Sequence, residues 1–379
     1  MKIRETKDIR VINRLTILNL INKEQKISRA EIANNTGLNK ATVSTIVKEL
    51  IELELIEETE IGDSNGGRRP IILMLKEDIG YIFSIDINIT HIEFIISDIG
   101  NNIIQKKYLN IIDENFYNTY NYLCNFLDET IKKLPKKKYG IIGIGVSVRG
   151  VVDLNGIIRL IPKLGWRNIN IKALLEEKYK IPVFVDNDGN FSAMAEYEYY
   201  KNLKDLIVIN IDEVITSGII SNGQIIRGFL GFANAIGHHV INHDGEKCVC
   251  GKRGCLEMYC SNSAIIQKIR LKKDVQTISD FINLVKKQDK DSILILNDFL
   301  DNLSIGLTNL IYILNPELIV INSIIFEKLP ELIPDLEKRI VLPITNFQDI
   351  AVSKVGEISS LKGALTYTKE QFYKTILNF

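Results

Sequence analysis

Apolar positions change their period along the chain, and the changes divide it. Val11, Ile12, Leu15, Leu18 and Ile21 recur at helical spacing and predict an amphipathic first helix. Ser28 followed by Glu31 is a capping-box pattern for a second helix, which Gly37 ends. Asn39 caps a third, in which Val43, Ile46, Val47 and Leu50 form one buried stripe while Lys40, Thr42, Ser44 and Thr45 take other faces. The pattern is that of a helix-turn-helix. Residues 55–58 and 71–75 then read as two short strands around the polar segment 63–70, a hairpin wing with Arg68 and Arg69 beside Gly66 and Gly67 at its tip.

Beyond residue 79 the pattern becomes strand-like. Segments 82–87, 91–96 and 102–108 predict a three-stranded meander, followed by a helix over 115–133 and a buried strand over 140–146. A second run repeats the scheme with strands at 206–211 and at Ile219–Ile220, helical segments, and a strand at 318–321. Two similar α/β lobes with a cleft between them follow from this order. The expected boundaries are a DNA-binding domain over 1–78, a first lobe over 79–195 and a second lobe over 196–361. The basic run 132–138 reads as a solvated helix end.

Composition narrows the function. The 379 residues are 46% hydrophobic and 25% charged, with 47 basic against 47 acidic side chains, which excludes a globally basic nucleic-acid coat. Charge is local instead: residues 1–48 hold ten Lys or Arg against four Asp or Glu, and residues 49–63 hold seven acids and no base. That distribution favours contact between the third helix and the DNA major groove through Asn39, Lys40, Thr42, Ser44 and Thr45, flanked by Ser28 and Arg29. Arg68 and Arg69 are expected in the adjoining minor groove. No uninterrupted apolar stretch approaches the ~18 residues of a membrane span, and the charged start is unlike a secretory signal, so the expected location is cytoplasmic with no membrane partner.

Four of five cysteines fall between residues 248 and 260, which argues for a metal cluster over a disulfide framework. Cys248, Cys250 and Cys255, with His238 ten positions upstream of the first, supply three thiolates and an imidazole. That set suits a tetrahedral Zn2+ ion and leaves no open position, so the expected role is structural. Gly251 and Gly254 permit the tight loop. His239, His243 and Cys260 are alternative ligands.

The run Gly237-His238, then Cys248-x-Cys250-Gly251-x-x-Gly254-Cys255-x-Glu257, resembles the signature of the ROK family of sugar kinases and sugar-responsive repressors. The N-terminal winged helix-turn-helix is similar to that of its repressor branch, of xylose-repressor and N-acetylglucosamine-repressor type. The resemblance implies an α/β fold of two actin-like (ribonuclease-H-like) lobes, with a C-terminal helix of about 362–379 returning to the first. It implies a monosaccharide site at Gly150, Asn187, Asp188, His238 and Glu257, in which a carboxylate and an amide pair neighbouring hydroxyls. Asp188 as a helix cap and Glu257 as a surface ion pair are the plainer alternatives. The resemblance also implies a homodimer or homotetramer formed through the second lobe.

The chain departs from the family at several points. Ala235 stands where a sugar-binding glutamate is usual, and Arg149 where proline is common, either facing the cleft or exposed. Trp166 either flanks the sugar or packs. The family's kinases carry glycines where Asn88-Ile89, residues 212–217 and Asn322-Ser323 stand here, and backbone approach to phosphates needs those glycines. Asp212 and Glu213 would repel a triphosphate. The expected function is therefore a sugar-responsive repressor that binds operator DNA and does no catalysis. A sugar kinase with a DNA-binding head, and a repressor switched by a sugar-transport protein, are the alternatives.

Overall fold

The computed structural model describes residues 2–61, 71–110, 115–342 and 349–378; Arg68 and Arg69 lie outside the described residues. The head comprises α1 (Lys2–Glu24), β1 (Ile27–Ser28), α2 (Arg29–Thr36), α3 (Lys40–Glu52), β2 (Ile56–Ile61) and β3 (Ile71–Leu75). Its boundaries follow from local chemistry. The Ser28 hydroxyl accepts from Glu31 N at 3.3 Å while the Glu31 carboxylate accepts from Ser28 N at 2.8 Å, completing the capping box. Gly37 ends α2 at φ +69°, a left-handed conformation that favours glycine. Asn39 Oδ1 accepts from Thr42 N at 2.8 Å and starts α3. Val43, Ile46, Val47 and Leu50 are buried with Ile17, Leu18 and Ile21 of α1, and the small sheet runs in the order β1-β3-β2.

The first lobe is built on β4 (Tyr81–Ile87), β5 (His91–Ser97), β6 (Ile103–Asn110), α4 (Phe116–Lys133), β7 (Ile141–Val148), α5 (Ile171–Tyr179) and β11 (Val183–Asn187). Between β7 and α5 a three-stranded sheet of β8 (Val151–Val152), β9 (Ile158–Ile161) and β10 (Trp166–Ile169) is inserted. The helix α6 (Asp188–Tyr197) leads to the second lobe. There β12 (Leu206–Ile211), β13 (Ile215–Ser221) and β14 (Gln224–Ile225) form a meander. It is followed by α7 (Glu257–Cys260), α8 (Asn262–Arg270), α9 (Ile278–Lys286), α10 (Lys290–Leu314), β15 (Leu318–Asn322), α11 (Ile324–Lys328), α12 (Leu332–Arg339) and β16 (Asp349–Val352). The C-terminal helix is α13 (Ser359–Asn378).

The two main sheets share one topology. The orders β6-β5-β4-β7-β11 and β14-β13-β12-β15-β16 each join three antiparallel strands to two parallel ones. This duplicated arrangement is the two-lobed α/β fold read from the sequence. Several strands run further than the apolar pattern indicated, two of them at the cleft. β7 continues to Val148, and β13 begins at Ile215 because Thr216 and Ser217 pair with β12 despite their polarity. The inserted sheet was not legible, since its strands are only two to four residues long.

The head is not a tethered bead. Its core runs into the first lobe as one apolar cluster that includes Ile79, Ile82, Ile95, Ile142 and, from α13, Leu361, Leu365, Tyr373 and Leu377. Polar contacts reinforce the junction: Arg14 donates to Leu377 O at 2.7 Å and Tyr139 Oη to Leu53 O at 2.6 Å. The basic run 132–138 is accordingly more than a solvated end. Lys138 pairs with Glu54 at 3.0 Å and the Lys137 ammonium lies 4.3 Å from the centre of the Tyr81 ring. Helix α13 also crosses α6 closely at Gly363, where a Cβ would come within 1.8 Å of Phe191 O. Among the described residues no helix is long and apolar enough to cross a membrane.

Candidate functional site

The cysteine loop folds back on the second lobe beside β13. His238, Cys248, Cys250 and Cys255 place their donor atoms within 4.8 Å of one another. His238 Nδ1 lies 3.5 Å from Cys248 Sγ, and Cys250 Sγ 3.6 Å from Cys255 Sγ. Two thiolates on a tetrahedral zinc, each at about 2.3 Å, stand roughly 3.8 Å apart, so the donor set fits such an ion. Burial pushes the Cys255 thiol up to about 12 and raises that of Cys248, while that of Cys250, against burial, is lowered by hydrogen bonds from Lys252 N and the neighbouring thiols; a bound cation would favour the thiolate at all three. Gly254, at φ +69°, lets the loop press against Asn242, where a Cβ would come within 1.5 Å of the carbonyl oxygen. Cys260 is buried elsewhere and donates to Phe299 O, and His243 is exposed beside Asp244. His239 is likewise outside the set.

The interlobe space next to this loop holds two chambers. The first is lined by Gly150, Val151 and Asn187 from the first lobe and by Val214, Ile215, Thr216, Ala235, His238 and Glu257 from the second, with Phe232 and Val249 at its rim. Its cavity volume is ≈ 100 Å³, room for several ordered water molecules. Glu257 starts α7 and accepts from Ile215 N at 3.2 Å. Since Nδ1 of His238 faces the cysteines, its Nε2 is the ring nitrogen left for the chamber. Ala235 contributes only a methyl group, and the walls are mainly apolar.

Asn187 and Asp188 divide their work. Asn187, not Asp188, caps α6: its Oδ1 accepts from Gly189 N and its Nδ2 donates to Gly150 O, both at 2.8 Å. Asp188 opens into the second chamber, ≈ 360 Å³, together with Asp86, Asn88, His91, Glu93, Asp212 and Glu357. Its Oδ2 accepts from the Thr216 hydroxyl at 2.6 Å, and Thr216 itself lines the first chamber. Burial pushes Asp188 up to about 6, against the pull of Arg149 and the Thr216 hydroxyl. The structure thus brings Gly150, Asn187, His238 and Glu257 to one chamber and sets Asp188 on the other side of its wall.

Arg149 forms much of that wall and lines both chambers. Only 13% of its side chain is exposed, and Nη1 donates to Asp212 Oδ2 at 2.6 Å and Glu213 Oε2 at 2.9 Å across the cleft. Burial opposes its charge, but Asp212, Asp86, Asp188 and Glu213 hold it protonated. Burial likewise works against an ionised Asp212, yet Arg149 keeps that carboxyl below its usual range; Glu213 is raised by burial and by Asp212. A second ion pair spans the lobes between Asp186 and Arg227 at 2.8 Å. No local pattern marks these partners, which lie 41 to 64 residues apart in the chain. Trp166 belongs to the first lobe's core, edge-on to Phe116 at 5.1 Å, and does not line either chamber.

On the head, Lys40, Ser44 and Thr45 are exposed along α3 with Thr42 half-buried. Ser28 is buried as the cap of α2, and Arg29 pairs with Glu58 of β2 at 2.5 Å. The α3 face is positioned by Glu49, which binds both Arg10 and Arg14 of α1.

Comparison with known proteins agrees with this architecture. Residues 82–371 match the ROK family, and residues 12–57 match a winged helix-turn-helix DNA-binding domain. The xylose repressor of Bacillus subtilis is 31% identical over 99% of this chain and 100% of its own length. A solved ROK family transcriptional regulator, a homologue of the E. coli MLC protein, superposes with a TM-score of 0.82 at 22% identity, covering 97% of this chain and 98% of its own. A ROK family glucokinase from Streptomyces griseus, solved with glucose and AMPPNP, gives 0.68 at 20% identity over 77% of this chain and all of its own. The chain belongs to the ROK family.

Proposed function

We propose that this ROK protein is a sugar-responsive transcriptional repressor of carbohydrate-utilisation genes, a monosaccharide in the first chamber setting its affinity for operator DNA. The observation that carries the proposal is the continuous apolar cluster from α1 and α3 through α13 into the first lobe. A head packed in this way feels a change in lobe geometry, as coupling between two sites requires. Full-length similarity to a xylose repressor supports the same reading and makes D-xylose the first sugar to try.

In this reading Gly150, Asn187, His238 and Glu257 surround the sugar, and Asp188 acts on it through Thr216. Lys40, Thr42, Ser44 and Thr45 face the major groove, Asn39 sets the start of the reading helix, and Arg68 and Arg69 enter the minor groove. His238, Cys248, Cys250 and Cys255 would hold zinc, whose four protein ligands leave it a structural role in fixing the wall that carries His238 and Glu257. Palindromic half-sites require a homodimer or a dimer of dimers in the cytoplasm. The test is a thermal-shift panel of pentoses, hexoses and amino sugars, followed by operator binding with each hit. Binding of a sugar that changes operator affinity supports the proposal, and sugar-dependent ATP consumption would replace it with a kinase. One observation favours a third reading, a switch thrown by a sugar-transport protein: Phe229 is 90% exposed, in one segment with the exposed Leu230 and with Phe232, which lines the first chamber. Operator binding that ignores every sugar would support that reading.

A further inference from the structure

We infer that Arg149 is a positioning residue that sets effector affinity by bridging the two walls of the sugar chamber through Asp212 and Glu213. The inference rests on the proposed reading of that chamber. Its first support is connectivity. Arg149 follows β7 directly and precedes Gly150, whose carbonyl accepts from Asn187; Gly150 and Asn187 are both first-lobe walls. Asp212 and Glu213 form the turn before β13, and the next three residues, Val214, Ile215 and Thr216, are second-lobe walls. One guanidinium therefore ties together the two backbone segments between which a sugar would sit.

Rigidity at both ends makes the tie effective. The turn is anchored within its own lobe, where Asn262 N donates to Asp212 O at 2.8 Å and the Ser263 hydroxyl to Glu213 O at 2.9 Å. Lys163 adds a second crossing, donating to Glu213 O at 3.1 Å. At the other end, a Cβ on Gly150 would meet Leu160 O at 2.4 Å, so that backbone is packed against β9. A bridge between two anchored walls raises the fraction of molecules with a closed chamber, and apparent affinity scales with that fraction. The two acids keep about 40% of their side-chain exposure, which screens the attraction and limits the expected effect.

The experiment compares the full-length wild type with Arg149→Gln, Arg149→Lys, the double variant Asp212→Asn/Glu213→Gln and the triple combination. Sugar affinity is read by calorimetry with the best panel sugar, and the exposure of segments 149–153 and 212–218 by hydrogen–deuterium exchange. The expected result is a ~5- to 50-fold weaker sugar Kd in Arg149→Gln and in the double variant. The triple variant should be no weaker than either, and Arg149→Lys should recover part of the loss. Both segments should exchange faster. A lower melting temperature with unchanged sugar Kd and exchange would overturn the inference, leaving Arg149 a stability residue. So would a loss confined to the Arg149 variants, which would make it a direct sugar contact. If the wild type binds no sugar but both walls loosen in Arg149→Gln, the bridge stands and the sugar reading falls.

Discussion

The two chambers of the interlobe space share a wall and little else. The first is mainly apolar, with its polar groups already fixed by partners: Asn187 by Gly189 and Gly150, Glu257 by Ile215, His238 by the cysteine loop. The second gathers Asp86, Glu93, Asp188, Asp212 and Glu357 around Arg149, and one oxygen each of the buried Asp86 and Asp188 has no protein partner. Preorganised donors and acceptors suit recognition of a neutral polyol, because little reorganisation accompanies binding. A crowd of carboxylates with one bound cation suits neither a nucleotide nor its phosphates. The contrast teaches that one cleft can hold two environments, apolar and preorganised on one side and anionic on the other.

The largest effect is expected on the first chamber alone. Chelation of the metal, or Cys255→Ser, should abolish measurable sugar binding, because the loop that positions His238 and stands beside Glu257 loses its centre. Calorimetry before and after metal removal checks this, and intact sugar affinity in metal-free protein would remove the loop from the account. Next comes Asp188 in the second chamber. Its folded value of about 6 lies above its ordinary 3.8, so the folded state holds the proton more tightly and stability falls as pH rises from about 4 to about 6. Asp188→Asn should remove that fall and stabilise the protein above pH 6 by at most ~3 kcal/mol, with no gain below pH 4. Melting curves across this range decide the matter, and a pH-independent difference would contradict it.

A smaller effect belongs to Glu257→Gln, which keeps the shape but removes the charge: sugar affinity should drop ~10- to 100-fold, the scale of one charge-assisted hydrogen bond. Isothermal titration measures it, and an unchanged Kd would place the sugar elsewhere. The smallest expected effect is that of nucleotide. ATP with magnesium should leave the melting temperature where it was, with or without sugar, and a clear upward shift would restore the second chamber as a phosphate site.

Legibility followed the range of the interactions. The head was readable because its signals are local: the Ser28–Glu31 box, the Gly37 stop and the Asn39 cap each act within three residues. The His/Cys cluster was readable because its three cysteines fall within eight positions and glycines mark the loop. The repeated strand order emerged from apolar runs. What could not be read were contacts made by folding distant segments together. Arg149 could from sequence either face the cleft or be exposed, and its partners Asp212 and Glu213 come from the other lobe; Asn187, the last residue of β11, immediately precedes α6 and so takes the capping role considered for Asp188. Of the two places open to Trp166, beside a sugar or in a core, packing against Phe116 is the one it takes. Lys138 seemed solvated because its partner, Glu54, lies in the head.

The claim on which these points converge is that chamber occupancy reaches the DNA-reading helix through the shared core of α1, α3 and α13. Operator affinity of the full-length protein, measured at one fixed salt concentration with and without saturating sugar, tests it directly. The account predicts a change of ~5- to 150-fold, equivalent to ~1–3 kcal/mol of coupling, with a matching change in sugar affinity when operator is present. Identical operator affinity in both conditions, for a sugar shown to bind, would contradict it.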